Sequence, residues 1–259
     1  MIIIKNAKEI ELMRLAGCAA GSVLELVSKF IQPGVTTREV DEFAAARIKE
    51  LGGKSAFLGY KGFPCNLCLS VNEEVVHGMG STRRLQFGDT ISVDVGVVLN
   101  GFIGDTARTV KVGGCDVLSQ KLIDVTERAL YEGISRALSG NRVVDISRAI
   151  QSYVEMNGFS VVREFVGHGV GRSMHEDPQV PNFVERSGFS PKLKPGMTIA
   201  IEPMVNAGQP GVDILKDGWT VVTKDGMPSA HFEHTVLITD KEPEILTCPA
   251  KKELQLTEL

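Results

Sequence analysis

The chain has 259 residues, 43% of them apolar and 23% charged, which excludes a disordered polypeptide and leaves length for one large domain or two small ones. With 28 Lys and Arg against 32 Asp and Glu, the formal net charge is −4, without the global basic bias of a nucleic-acid binder. Five thinly spread cysteines fit a reducing compartment, and no apolar run approaches the roughly 18 residues of a membrane span. Met1-Ile2-Ile3-Ile4-Lys5-Asn6 lacks the basic start and apolar length of a signal peptide, so the expectation is a soluble, cytoplasmic protein.

Apolar residues at Ile10, Met13, Ala20, Leu24, Val27 and Ile31, with Gly17 on the same stripe, predict one long amphipathic helix stopped by Pro33-Gly34. Thr36-Thr37-Arg38-Glu39 is a capping box that opens a second helix, which runs to about Leu51 and ends at Gly52-Gly53. Cys65-Asn66-Leu67-Cys68 has the spacing of half a zinc site, but no second pair completes it, and the flanking sequence lacks the helix start of a redox motif. These thiols read as structural or pocket-lining. Val75-Val76-His77-Gly78 sets a histidine at a strand end beside glycine.

Gly88-Asp89-Thr90-Ile91-Ser92-Val93-Asp94 reads as a core strand ending on a carboxylate, and Asn100-Gly101 beyond it signals a two-residue hairpin. A turn there pairs Leu99 with Phe102 and puts Asp105 opposite Gly96. Asp94 and Asp105 become diagonal neighbours on one face, their backbones roughly 7–8 Å apart. An exposed acidic face would relieve their repulsion in water. The flanking Ile91, Val93, Val95 and Val97 argue instead for a covered sheet, where a cation held between the two would do so.

The second half repeats the plan. One helix is expected from about Gln120 to Leu138, stopping near Gly140, and another from about Val144 to Met156, stopping at Gly158. Gly34 and Gly140 are 106 residues apart, as are Gly52 and Gly158. Gly196-Met197-Thr198-Ile199-Ala200-Ile201-Glu202 echoes the strand that ends at Asp94, so Asp94 and Glu202 are pseudo-equivalent. The pattern is a duplicated helix–helix–sheet unit, about 7–110 and 116–247, in a single domain over 1–259 with one site between the halves.

Gly167-His168-Gly169-Val170-Gly171 strips bulk from around an imidazole, so that a ligand or metal could approach closely. His175-Glu176-Asp177-Pro178 is not the two-histidine helical zinc motif, because position 179 is Gln. Trp219-Thr220-Val221-Val222-Thr223 followed by Asp225-Gly226 and His231 to Ile238 reads as a second hairpin, with Glu233 in mid-strand where an unpaired carboxylate is costly. His231 shares the face of Glu233 and His234 points the other way; both read as hydrogen-bonded structural histidines.

Six motifs together resemble the type I methionine aminopeptidases of bacteria, from about Lys5 to Thr247: Ser92-Val93-Asp94-Val95-Gly96, Gly104-Asp105-Thr106, Gly167-His168-Gly169-Val170-Gly171, His175-Glu176-Asp177-Pro178, Ile201-Glu202-Pro203-Met204 and Phe232-Glu233-His234-Thr235. The resemblance implies an α+β pita-bread fold, two pseudo-symmetric halves around a curved, mainly antiparallel sheet with helices outside. It implies two divalent metal ions (Co, Zn, Mn or Fe(II)) on Asp94, Asp105, His168, Glu202 and Glu233. Asp105 and Glu233 would bridge them, Asp94 would hold one, and His168 and Glu202 the other. This oxygen-rich set suits such ions, and four carboxylate charges against two dications leave the site nearly neutral.

The implied activity is removal of the initiator methionine from nascent polypeptides whose second residue is small and uncharged. Paired metals would acidify a water and bind the free α-amine. Glu202 would move the proton, His175 would stabilise the oxyanion and His77 would contact the substrate amide. Tyr60, Phe63, Cys68 and Trp219 would line the methionine pocket. Met174, where relatives often carry an aromatic residue, and Asp177, in place of a commoner Glu, bear on pocket shape. The role implies a monomer that meets the ribosome near its exit tunnel, without nucleic-acid specificity or a membrane, although Arg83-Arg84 is only a pair of basic residues. Two alternatives stand beside this reading. One is an Xaa-Pro aminopeptidase or dipeptidase, for which the chain is short. The other is a metal-free binding protein on the same fold, which would drop ligands that this chain keeps.

Overall fold

Four long helices cover one face of a mixed assembly of antiparallel strands in the computed structural model, which describes residues 1–184 and 190–249. The parts of the expected 1–259 domain at 185–189 and 250–259 lie outside the described residues. Helix α1 spans Ala7–Phe30 and starts where Asn6 and Glu9 cap each other, a reciprocal box in the sequence that the apolar spacing did not reveal. Helix α2 spans Thr37–Glu50, opened by Thr36 and Glu39 as the sequence predicts.

Helix α3 spans Val117–Ile134 and helix α4 spans Val143–Met156. The expected start of α3 at Gln120 is late because Asp116, whose carboxylate accepts from Ser119 N–H, is its cap. Its expected end at Leu138 is too far along. Beyond Ile134 the backbone tightens into three-residue bonds, Arg136 to Gly133 and Ala137 to Ile134, which turn Ala137 into the core.

The main sheet runs in the order Lys54–Ser55, Thr90–Leu99, Phe102–Lys111, Glu233–Leu237, Thr198–Ile201, Gly167–Gly169, Glu176–Val180, all antiparallel; Cys68–Val71 also pairs with Thr90–Leu99, and Glu244–Ile245 with Glu233–Leu237. The Asn100-Gly101 hairpin forms in the expected register, Leu99 opposite Phe102 and Gly96 opposite Asp105. Both turn residues take positive φ, 51° and 77°, the conformation for which Asn-Gly is suited. Asp94 does not end its strand as expected but lies in mid-strand, whereas Glu202 follows directly on Thr198–Ile201.

Period-two alternation assigns the faces. Ile91, Val93, Val95 and Val97 pack with Val23 and Val27 of α1 and Val40 of α2. In the other half Ile199, Ile201 and Val236 pack with Ile146 and Ile150 of α4. Ser92, Asp94 and Gly96, the intervening residues, point to the face away from the helices.

The second expected hairpin does not form. Val221–Thr223 pairs with Val212–Ile214 and Glu74–Val76 in a separate sheet. Ser229–His231 pairs with Met204–Asn206, and Glu233–Leu237 enters the main sheet. The turn at Asp225-Gly226 is real, but the Asp225 carboxylate accepts from Gln209 N–H as well as Met227 N–H, which ties the turn to a neighbouring loop. Pro228 then lacks the N–H that would continue a ladder.

One buried carboxylate outside the site positions its wall. Asp41 of α2 accepts from the backbone N–H of Asn66 (2.9 Å) and Leu67 (2.8 Å) and from the Asn66 side chain (2.8 Å), which fixes the segment leading into Cys68. Asp41→Ala strands these donors in a buried place and is expected to lower unfolding stability by about 2–3 kcal/mol. Urea denaturation checks this, and a change under about 0.5 kcal/mol would show that the clamp is not structural.

Candidate metal centre

Sheet register brings the acids together. Cys68 lies opposite Asp94, Asp94 opposite Ala107, and Ala107 opposite Glu233, so one row crosses four strands with the small Ala107 side chain at its centre. Asp105 precedes Ala107 by two residues along its strand and shares its face. Glu202 extends the neighbouring strand, and His168 lies on the one beyond. Asp105 and Glu233 are each only 2% exposed. One donor atom each from Asp105, His168 and Glu233 lie within 4.8 Å of one another.

His168 supplies the most informative geometry. Its Nδ1 is 2.9 Å from the carbonyl oxygen of Gly169, which can only accept, so Nδ1 carries the proton. Nε2 therefore turns a lone pair toward Asp105 Oδ2 at 3.7 Å and Glu202 Oε1 at 3.5 Å. Burial, and then the nearby His175, push its pKa down to about 4, so the ring does not supply a compensating proton at neutral pH. Lone pairs converge here with nothing positive between them. Asp94 Oδ1, Asp105 Oδ1 and Glu233 Oε1 are buried without a hydrogen-bond partner among the described residues.

Burial pushes Asp94 up to about 7 against the pull of a hydrogen bond from the Cys68 thiol. Asp105, Glu202 and Glu233 are driven well above the usual carboxylate range, first by burial and then by the charge of their neighbours. Divalent cations fit this donor set. They would take up the orphaned oxygens, favour the ionised acids and meet an imidazole nitrogen whose other N–H is already committed to a carbonyl, the usual arrangement for a histidine ligand.

All eleven residues singled out from the sequence line one cavity of about 220 Å³: Asp94, Asp105, His168, Glu202 and Glu233, with His77, His175, Tyr60, Phe63, Cys68 and Trp219. The Tyr60 hydroxyl is 2.8 Å from His175 Nδ1, and the His175 ring lies 4.2 Å from that of His168. His77 takes a positive φ of 59° at its strand end and meets Phe165 edge to face. Phe63 and Trp219 pack edge to face at 5.2 Å. Met174 is a buried part of the same apolar wall.

The cavity also holds residues that the sequence reading missed or misassigned. Phe57, Lys61 and Phe165 line it without having been noted, and Met204, named only as the end of a motif, lines it too. His234 is satisfied as expected, by Thr247 Oγ1 at 2.8 Å. His231 is not. Its Nε2 is buried without a hydrogen-bond partner among the described residues, 3.7 Å from Glu202 Oε2. The signal that could have found it is the face that it shares with Glu233. Arg83 pairs with Glu74, and Arg84 donates to the Gly34 carbonyl, so both basic residues have structural partners.

The profile of metallopeptidase family M24 matches residues 11–240. A methionine aminopeptidase of Clostridium perfringens is 53% identical, covering 95% of this chain and 99% of that protein. Methionine aminopeptidase 1 of Bacillus subtilis is 51% identical, with the same coverage of both chains. Among solved structures, the crystal structure of methionine aminopeptidase from Thermotoga maritima superposes with a TM-score of 0.93 at 47% identity, covering 96% of this chain and all of that one.

Stripping the metal should expose the acids' raised pKa values as a pH-dependent loss of stability. The unfolded chain releases these protons at ordinary carboxylate values while the folded, metal-free chain retains them, so folding weakens as pH rises. The buried histidines act in the opposite sense, but only below about pH 6.5, where the unfolded chain takes up protons that the folded chain refuses. Above about pH 7 the histidines no longer oppose them, and the carboxylates act at roughly 1.4 kcal/mol per pH unit for each group still protonated, joined at higher pH by the buried Cys68 thiol. The thermal midpoint of chelator-treated protein is expected to fall between about pH 7 and pH 9, and added Mn(II) or Zn(II) to flatten the slope. A midpoint independent of pH without metal would contradict the burial of these acids.

Proposed function

The chain belongs to metallopeptidase family M24 and has its pita-bread fold, and from that premise we propose how its residues carry out the reaction. It hydrolyses the peptide bond that follows an N-terminal methionine and uses divalent metal to do so. In the proposed arrangement two divalent ions would be held by Asp94, Asp105, His168, Glu202 and Glu233. Residues 7–110 and 116–247 close around them as one catalytic domain. Bound there, the ions supply Lewis acidity that lowers the pKa of water and polarises a carbonyl oxygen, and a site for a free α-amine.

The observation that carries this reading is the unprotonated His168 Nε2 aimed at two carboxylate oxygens beside an aromatic cavity. The chain's own groups do the remainder. Phe63, Tyr60, Cys68 and Trp219 receive the methionine side chain. The Tyr60 hydroxyl donates to His175 Nδ1, which leaves Nε2–H to donate to the carbonyl oxygen as it gains negative charge. His77 contacts the substrate amide. Glu202 takes a proton and passes it toward the leaving nitrogen. The substrates are nascent polypeptides met by a monomer in the cytoplasm, near the ribosomal exit. No helix among the described residues is long and apolar enough to cross a membrane. No feature of the cavity favours an Xaa-Pro enzyme, and the full ligand set speaks against a metal-free binding protein.

Two histidines separate by role. His175→Ala is expected to lower kcat by about 10²–10³, the usual effect of losing an oxyanion donor, with metal occupancy intact. His168→Ala, like Asp105→Asn and Glu233→Gln, is expected to lower occupancy itself. Metal content and single-turnover rates check this, and equal occupancy in the two histidine variants would contradict the division.

Substrate choice tests the whole reading. The second residue must thread past His77 and the loop around His168, so a bulky side chain displaces the carbonyl, and a misplacement of about 1 Å is worth roughly a hundredfold in rate. Met-Ala-Ser is expected to be cut far faster than Met-Leu-Ser or Met-Lys-Ser. Leu in first position should slow cleavage, and Lys should nearly abolish it. Comparable kcat/KM for Met-Ala-Ser and Met-Lys-Ser would refute the assignment.

A further inference from the structure

A buried ion pair that takes no part in the metal centre joins the N-terminal segment to the loop that ends in His175. Lys5 Nζ lies 2.5 Å from Glu176 Oε2, and the two side chains are 3% and 5% exposed. Lys5 precedes α1 and is itself fixed, its N–H donating to the Gly196 carbonyl at 2.8 Å. The other oxygen of Glu176 accepts from the backbone N–H of Arg172 (3.0 Å) and Ser173 (3.4 Å). Glu176 is thus the hub of the turn that leaves the strand of His168 and returns through His175. The hub is packed against the backbone. A Cβ on Gly171 would stand 2.5 Å from Glu176 Oε1 and 2.7 Å from Lys5 Cε, which explains the third glycine of Gly167-His168-Gly169-Val170-Gly171. On its outer side the turn is held to the first half of the chain, Ile103 N–H donating to the Gly171 carbonyl at 2.8 Å and the Arg172 guanidinium lying over the Phe102 ring.

We propose that Lys5 and Glu176 are positioning residues for the reaction, fixing the 170–175 turn so that His175 stays against Tyr60 and His168 with its free nitrogen aimed into the cavity. The proposal rests on the role given above to His175. A buried ion pair is weak as a stabiliser, since desolvation offsets most of its attraction, but it fixes geometry, because each partner tolerates few positions of the other. Here the geometry it fixes begins one residue from His175. An error of about 1 Å in that imidazole is the kind that lowers turnover by one to two orders of magnitude without touching the metal ligands.

The test uses the full chain loaded with Zn(II), as Lys5→Met, Lys5→Arg, Glu176→Gln, His175→Ala and, as a surface control, Lys8→Met. Readouts are kcat and KM on Met-Ala-Ser, zinc content, thermal midpoint and the imidazole 15N–1H spectrum. Lys5→Met is expected to lower kcat about tenfold or more, with KM within about twofold and zinc content unchanged, and to move the His175 ring signals while those of His234 stay. Lys5→Arg should recover much of the rate and Lys8→Met should match the parent. Should Lys5→Met fail to fold, Glu176→Gln, which keeps the backbone contacts and removes the charge, is expected to give the same pattern. A lower midpoint with kcat and His175 signals unchanged, in whichever of the two folds, would overturn the proposal and leave a purely structural pair. His175→Ala at parental kcat would instead overturn the role of His175, whereas an impaired His175→Ala beside an unimpaired Lys5→Met would overturn positioning alone.

Discussion

Four carboxylates share the inner face of one sheet with hardly a positive charge to answer them. Among the described residues that line the cavity, Lys61 is the one Lys or Arg, and its charge is felt by His175. Unpaired buried carboxylates are costly, and the neutralising charge has to come either from protons or from metal. His168 faces two of the acids with a lone pair, because its own neighbour Gly169 holds the proton on Nδ1; at 3.7 Å from Asp105 Oδ2 and 3.5 Å from Glu202 Oε1 that lone pair is too far for an O–H···N bond and is open to a shared cation. The fit to a cation is thus prepared by a hydrogen bond to the residue next to His168.

The same constraint explains where the halves of the chain meet. Asp94, Asp105 and His77 come from the first half of the chain, and His168, His175, Glu202 and Glu233 from the second. The seam is the ladder between Phe102–Lys111 and Glu233–Leu237, reinforced by side-chain bonds from Thr106 Oγ1 to the Glu233 carbonyl and from Thr235 Oγ1 to the Asp105 carbonyl. Thr106, next to Asp105, bonds the Glu233 backbone, and Thr235, two residues beyond Glu233, bonds the Asp105 backbone, so each locks the opposite carboxylate's strand across the seam. Ala107 lies between Asp94 and Glu233 in the same row, and its small side chain leaves the middle of the row open. Neither half of the chain alone holds all four carboxylates and His168, so the cluster forms only where the halves meet.

Local rules carried much of this into the sequence. The Asn100-Gly101 turn depends on the φ preferences of two adjacent residues, and once it is placed the strand period puts Asp94 and Asp105 on one face without further information. Thr36 with Glu39 opens α2 for an equally local reason. The resemblance of six short motifs to a known family supplied the remaining candidate ligands and pocket residues, and all of them meet in one cavity. The second hairpin failed as an expectation because Asp225 is bonded to Gln209, sixteen residues earlier, and the strands on either side of its turn find partners in different sheets.

The sequence by itself therefore determined which residues are acids and imidazoles, which faces of the strands they occupy and the helices that cover the opposite face, because each of these follows from spacing over a few residues. Tertiary structure alone decided which nitrogen of His168 faces the acids, that His231 is drawn into the cavity and left without a partner, and that Lys5 meets Glu176 across 171 positions. Those outcomes depend on distances between segments that no local period encodes. They are set by which backbone carbonyl lies beside a ring and by which buried charge has only one partner within reach.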